Sequence, residues 1–493
     1  MSREGLTFNG LAYAWAISLT SLSMYITFKS RRSWFSREIA QQNSEFRSLQ
    51  RTFLFPSLLI YLADSIQAPY LYLLYYSYGF QPAQIAVLYV VGLTMNLVST
   101  IITIHILSRF GRKLTCLCCI ASGSLACLMK FSDNYLVLLI GRLLDGFSAA
   151  LLVTPFHQWY GHEHVLSYDF PKEWLASTFS TLSTAAAFLS VGAGFIAEFS
   201  ELGSSVTAFP FFIAILFQIA GGSYIIKYWP ENRLASEYRV RLLKQFSSAL
   251  SIFKKEPIVL VVCIIHTFFE STIQLFIFVW TPVLLHSKRV FSHRISYGGV
   301  YAAFMSSTLL GNLIHRLTQK RCSVTNILCL STAVALIAFI FSYAIVPYDL
   351  HLWTARKFFF MFILFCIFEF ACGLYLPAMS KLQQELAPPE HRTSLLAILR
   401  IPLTLLASLG ILGFSLPVVD SKGEIQQITE WRILLMGCVL ISLCTVSALL
   451  LSVAMGRRIA DDYGDHFFIS FQRSNTLPVN AEDAERLRTI SLS

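Results

Sequence analysis

Charged side chains make up only 13% of the 493 residues, and outside a few connecting segments no polar run is long enough to cover a water-soluble core. With 55% hydrophobic residues, that scarcity excludes a soluble globular protein and makes the lipid bilayer the solvent. No zinc spacing links the 11 cysteines. Most lie inside apolar runs, as Cys116, Cys118 and Cys119 do, and read as buried small residues. His157, His162 and His164 surround Glu163 without the H-E-x-x-H spacing that sets two ligands on one helix face, so neither metal nor cofactor is expected. No nucleophile with a base beside it stands out in the apolar runs, which argues against an enzyme. No N-x-S/T tripeptide marks an outer loop. The formal charge of +10 does not imply nucleic acid, because Lys and Arg gather in short loops between apolar runs, as in cytoplasmic loops.

What is present is a series of apolar segments long enough to cross a bilayer as helices. The only long polar interruption in the middle of the chain covers 227–257. Six segments precede it, near 53–78, 83–107, 114–131, 135–159, 174–199 and 206–228. Six follow, near 258–285, 295–317, 324–346, 353–380, 394–418 and 431–455. A further run, 10–28, is closed by Lys29, Arg31 and Arg32, a positive flank that predicts a retained helix with its N-terminus outside. The expected fold is an all-α membrane protein of thirteen spans. It comprises an N-terminal transmembrane helix (1–28), a basic cytoplasmic linker (29–52), a six-helix half (53–228), a central linker (229–256), a second half (257–456) and a disordered cytoplasmic tail (457–493). Two like halves belong to a transporter that binds between them near the membrane midplane.

Between the second and third core spans stand Ile104, Ser108, Arg109, Gly111, Arg112 and Lys113. The latter half of this stretch resembles the major facilitator signature G-x-x-x-D-R-x-G-R-K, with Ile104 and Ser108 in place of its Gly and Asp. The matching loop of the second half keeps Gly311, Arg316 and Lys320 of the same pattern. These residues are expected to form the gating loops, although Ser108 lacks the carboxylate that latches the loop in that superfamily. Arg142 with Gly146 resembles the superfamily's fourth-helix motif. Closer still, ADSIQAPYLYLLY (63–75), QIAVLYVVGL (84–93), WYGHEHV (159–165), FFESTIQLFIFVWTPVL (268–284) and ACGLYLPAMS (371–380) resemble the molybdate-anion transporter family, the major facilitator domain-containing type 5 proteins. The resemblance implies the major facilitator fold, and molybdate as the substrate of an uptake carrier in the cell membrane.

Ionisable groups inside spans are costly and face a cavity by default. In the superfamily's fold the first, fourth, seventh and tenth core helices line that cavity, and here they carry Asp64, Arg142, Glu270 and Glu369; Arg400 lies on the eleventh. A dianionic oxyanion offers only acceptors, so Arg142 and Arg400 are expected to bind it, with Gln67, Gln274 and Tyr70 as further donors. Asp64, Glu270 and Glu369 are then expected to carry protons. The same residues also allow plainer roles: an Arg142–Asp145 pair within one helix, Asp64 and Glu270 as partners of the arginines, Glu369 as an interhelical hydrogen-bonder. A carrier of sugars or other organic solutes and a transporter-shaped receptor remain as alternative functions. In the tail, Arg473, Ser474, Thr476 and Pro478 resemble a 14-3-3 ligand once Thr476 is phosphorylated.

Overall fold

The computed structural model describes residues 3–31, 43–204, 206–232, 257–291, 294–319, 321–346, 353–386, 392–415, 418–419, 425–426 and 430–475. Nearly all of them are helical. In lipid every backbone N–H and C=O must find a partner within its own segment, and the helix does this without an exposed edge.

The extra N-terminal helix is α1 (Arg3–Arg31). The first half comprises α2 (Ser44–Gln67), α3 (Leu71–Ser77), α4 (Pro82–Phe110), α5 (Arg112–Met129), α6 (Tyr135–Leu151), α7 (Thr154–His162), α8 (Lys172–Ser204) and α9 (Phe209–Tyr228). The second comprises α10 (Pro257–Leu285), α11 (Tyr297–Thr318), α12 (Val324–Ile345), α13 (Ala355–Leu386), α14 (Arg392–Ser415) and α15 (Glu430–Asn475). Taking α2 with α3 and α6 with α7, the described residues form thirteen segments of membrane length. The first break lies at Ala68–Tyr70, where Pro69 has no N–H to donate; the second precedes Pro155.

Ten of the segments are apolar enough throughout to be recognised as spans by composition. Helix α14 is apolar over the shorter stretch Ile398–Gly413, while α2 and α11 are less apolar and carry polar groups turned into the protein, among them Asp64, Gln67, Ser306 and Ser307. Lower hydropathy in these helices reflects the interior they line.

The halves meet along two seams, α8 against α11 and α4 against α14. At the first, a Cβ on Gly298 would lie 2.3 Å from the Gly194 carbonyl oxygen, so both glycines are needed for backbones this close. Within the halves Gly92 meets Gly146, and Gly311 meets Gly373, in the same manner. Helix α1 packs on α11 and also touches α8, so it lies over the first seam. Asn9, near its start, bonds to Arg294 at the end of the bundle that also holds Ser204. The opposite end carries Arg109–Lys113, Lys227 and Arg316.

The chain departs from expectation at two places near its end. The eleventh core helix stops at Ser415, and Val418–Val419 pairs antiparallel with Ile425–Gln426 in a two-stranded hairpin before α15. The last helix runs on to Asn475, through the first part of the segment expected to be disordered after Arg457. Adding a turn to an existing helix needs no new nucleus, and no proline interrupts the chain before Pro478. Thr476 lies outside the described residues.

Candidate functional site

A cavity of about 300 Å³ opens between α2, α4, α5, α6 and α9 of the first half, with Gln274 and Ile277 of α10 closing it from the second. Asp64 and Gln67 reach it from α2, three residues apart on one helix face. Asp64 is deep in the molecule yet exposed to this space. Arg142 and Asp145 reach it from α6.

Lys130, at the C-terminus of α5, completes the centre, and only 2% of it is exposed. Its Nζ donates to Gln67 Oε1 at 2.8 Å and to Asp145 at 3.0 Å. Arg142 Nη1 donates to the same carboxylate at 2.9 Å, while its Nε donates to the Leu88 carbonyl at 3.2 Å. Its guanidinium also lies over the Tyr89 ring, 5.4 Å from the centroid. Gly92 makes this placement possible, because a Cβ there would stand 2.5 Å from Arg142 Nη2. Two cations therefore share one carboxylate at the wall of the cavity. Such an arrangement can exchange part of its carboxylate contact for an anionic ligand without leaving either cation unpaired.

Of the residues expected at the site, Asp64, Gln67, Arg142 and Gln274 come together here. Arg400 and Glu270 form an adjoining cluster. Arg400 Nη1 bonds to Asn96 Oδ1 and to Thr100 Oγ1, crossing from α14 to α4, and Asn96 itself lines the cavity. Glu270 lies within electrostatic reach of Arg400 and 3.9 Å from His266 Nδ1. Glu369 stands apart from the lining and accepts from Thr308 Oγ1 at 2.8 Å. Tyr70 is also elsewhere: its hydroxyl donates to Glu198 Oε2 at 2.7 Å. An unbroken helix would have kept Tyr70 near the face of Asp64 and Gln67, but the turn at Pro69 carries it away.

Lys130 is the residue sequence reasoning missed. Its position at the end of an apolar run suggests a lysine reaching for headgroups. The usable signal is its side of the membrane, since the expected topology puts it at the outer end, where Lys and Arg are scarce.

The first gating loop is held by its own half and by the start of the central linker. Gly111, at φ +89°, makes the turn from α4 into α5. Arg112 donates from N and Nη1 to the Asn232 carbonyl at 3.1 and 3.4 Å, and Asn232 donates to Glu163 Oε1 at 2.6 Å. Lys113 N and Leu114 N donate to the Glu231 carboxylate at 3.2 and 3.1 Å, while Lys113 Nζ donates to the Ile226 carbonyl at 3.0 Å. Glu231 thus supplies a carboxylate at the N-terminus of α5, where the helix dipole favours one. Arg109 extends over the Phe110 ring. In the second loop Arg316 sits in the last turn of α11, and Lys320 lies outside the described residues, as do the side chains of Ile104 and Ser108.

Comparison with known proteins gives the lineage. The family model MFS_5, described as sugar transporters with 12 TM, matches residues 8–365. A molybdate-anion transporter of Takifugu rubripes is 32% identical over 479 residues, covering 91% of this chain and 96% of the relative. The chain belongs to the molybdate-anion transporter family. A second member, from Danio rerio, is 33% identical over 91% of this chain and 97% of its own. A third, from Xenopus laevis, is 33% identical over 81% and 87%. Among solved structures, the nucleoside transporter NupG superposes with a TM-score of 0.60 at 13% identity, over 82% of this chain and 98% of that one. A D-xylose–proton symporter gives 0.61 at 12%, over 82% and 97%. These likenesses establish the major facilitator fold of the family in this chain, and with it a multi-pass membrane transporter.

Proposed function

We propose that the protein takes up molybdate, or an oxyanion of the same shape and charge, across the cell membrane together with a proton. The observation that carries this reading is the pair of cations, Lys130 and Arg142, that share Asp145 beside an open cavity. A sugar needs no such pair of cationic donors, whereas an oxyanion of four acceptor oxygens does. The names of the relatives point the same way.

Proton coupling follows from counting charges. With Asp64 ionised, Lys130 and Arg142 are balanced by two carboxylates, and a dianion would leave the cavity with an excess of two negative charges. With Asp64 protonated, the excess falls to one. Anion binding and proton uptake at Asp64 therefore favour one another, as linkage requires. The two halves would then rock about the cavity, parting in turn at α4/α14 and at α8/α11.

The test is uptake by the purified protein in proteoliposomes, with labelled molybdate, sulfate and glucose compared with and without an inward proton gradient. The expected result is gradient-stimulated molybdate uptake with competition by sulfate and none by glucose. Glucose uptake without molybdate uptake would replace this reading by a sugar carrier, and no uptake of any solute would favour a receptor.

A further inference from the structure

At the end of the bundle opposite the basic loops lies an ionic cluster with no part in the cavity just described. Glu198 and Glu201, 3% and 7% exposed, stand three residues apart near the end of α8 in the first half. The second half reaches them through the segment 294–298. Arg294 pairs with Glu201 and lies 3.9 Å from Glu198, and the N–H of Gly298 donates to Glu198 Oε2 at 2.9 Å. Tyr70, at the break between α2 and α3, donates to the same oxygen.

Helix α1 holds that segment in place. The Asn9 side chain donates to the Arg294 carbonyl at 2.9 Å and accepts from the Ser296 N–H at 3.0 Å. One turn along, the Tyr13 hydroxyl lies 2.7 Å from Ser296 Oγ, which also caps α11 by accepting from Gly299 N at 3.0 Å. The Tyr13 ring stacks on Phe195 of α8, and Trp15 Nε1 donates to Ser307 of α11 at 3.0 Å. So α1 grips both sides of the seam and fixes the backbone from which Arg294 extends.

Two buried carboxylates are strongly unfavourable once their cation is withdrawn. Parting α8 from α11 would withdraw both Arg294 and the Gly298 N–H, so this end opens only against that penalty. We propose that the Glu198–Glu201–Arg294 cluster is the latch that closes this end of the transport path, and that Asn9 and Tyr13 of α1 are positioning residues that set its strength. The idea rests on the family's transporter function, not on which anion is carried.

A thiol reporter tests it without substrate. Ala68, beside the α2/α3 break, lines the cavity, and Ala68→Cys can be labelled with a membrane-impermeant reagent applied to the membrane face that carries Ser204. Labelling by native cysteines is subtracted with the parent chain. In this background Arg294→Gln is expected to speed labelling at least about tenfold, and Asn9→Ala with Tyr13→Phe about threefold. Exchanging the charges, Arg294→Glu with Glu201→Arg, should return the rate towards the parent's, a rescue that general loosening of the fold would not give. Unchanged labelling in Arg294→Gln, or an exchanged pair as fast as Arg294→Glu alone, would overturn the latch. Should Arg294→Gln fail to reach the membrane, the exchanged pair is compared with Glu201→Gln on the same two outcomes. Unchanged labelling in the Asn9/Tyr13 variant would overturn the part assigned to α1.

Discussion

Lys130→Gln and Arg142→Gln are each expected to cut oxyanion uptake by roughly a hundredfold or more, with the protein still present in its membrane. The two side chains share Asp145, so removing either leaves one cation neutralised by one carboxylate. With Asp64 protonated, the single positive charge in excess that draws in an anion is then gone. Folding should survive, because Asp145 retains a partner in both variants and is not left as a lone buried charge. Lys130→Arg, which keeps the charge on a side chain of similar length, should retain a substantial part of the uptake. The measurement is initial uptake of labelled molybdate per amount of protein in the membrane. Uptake at the parent's rate in either glutamine variant would remove that residue from the binding site.

Asp64→Asn is expected to leave molybdate exchange across the membrane intact while abolishing accumulation against a gradient. An amide resembles the protonated acid in shape and hydrogen bonding but cannot release a proton, so the anion can cross in both directions without drawing on the proton gradient. Asp64 is singled out among the three expected proton carriers because it alone lines the cavity with Lys130, Arg142 and Asp145. Glu369 is hydrogen-bonded to Thr308, and Glu270 lies with Arg400 and His266, so their amide variants should affect accumulation less. Uphill accumulation by Asp64→Asn equal to that of the parent would show that the proton travels elsewhere or that none is coupled.

Much of the architecture is legible in the sequence because lipid leaves the chain few choices. Apolar runs of about 20 residues become helices, and a polar stretch in the middle separates two halves. The placement of Asp64, Gln67 and Arg142 in one cavity also follows from the expense of polar groups inside spans. What could not be read depends on contacts between distant segments. Glu231 caps α5 from beyond α9, and nothing in the neighbourhood of Arg112 signals that a carboxylate will arrive there. Lys130 looks like a helix-end lysine until Gln67 and Asp145 are seen around it. Tyr70, expected as a donor to the anion, has its hydroxyl on Glu198 instead, a partner 128 residues away in the chain. Arg400 was expected in the binding site and instead ties α14 to α4 through Asn96 and Thr100, a neighbouring position that only the packing of the two halves defines.

The account stands on where the anion sits, and molybdenum scatters strongly enough for its position to be seen directly. A structure of the full-length protein with molybdate bound is expected to show the metal atom's density in the cavity between α2, α5 and α6. Its oxygens should then lie about 3 Å from Lys130 Nζ and the Arg142 guanidinium, with contact between those cations and Asp145 reduced. Density beside Arg400 and Glu270 instead, or an empty cavity at a concentration that saturates transport, would contradict the assignment of Lys130 and Arg142 as the binding pair.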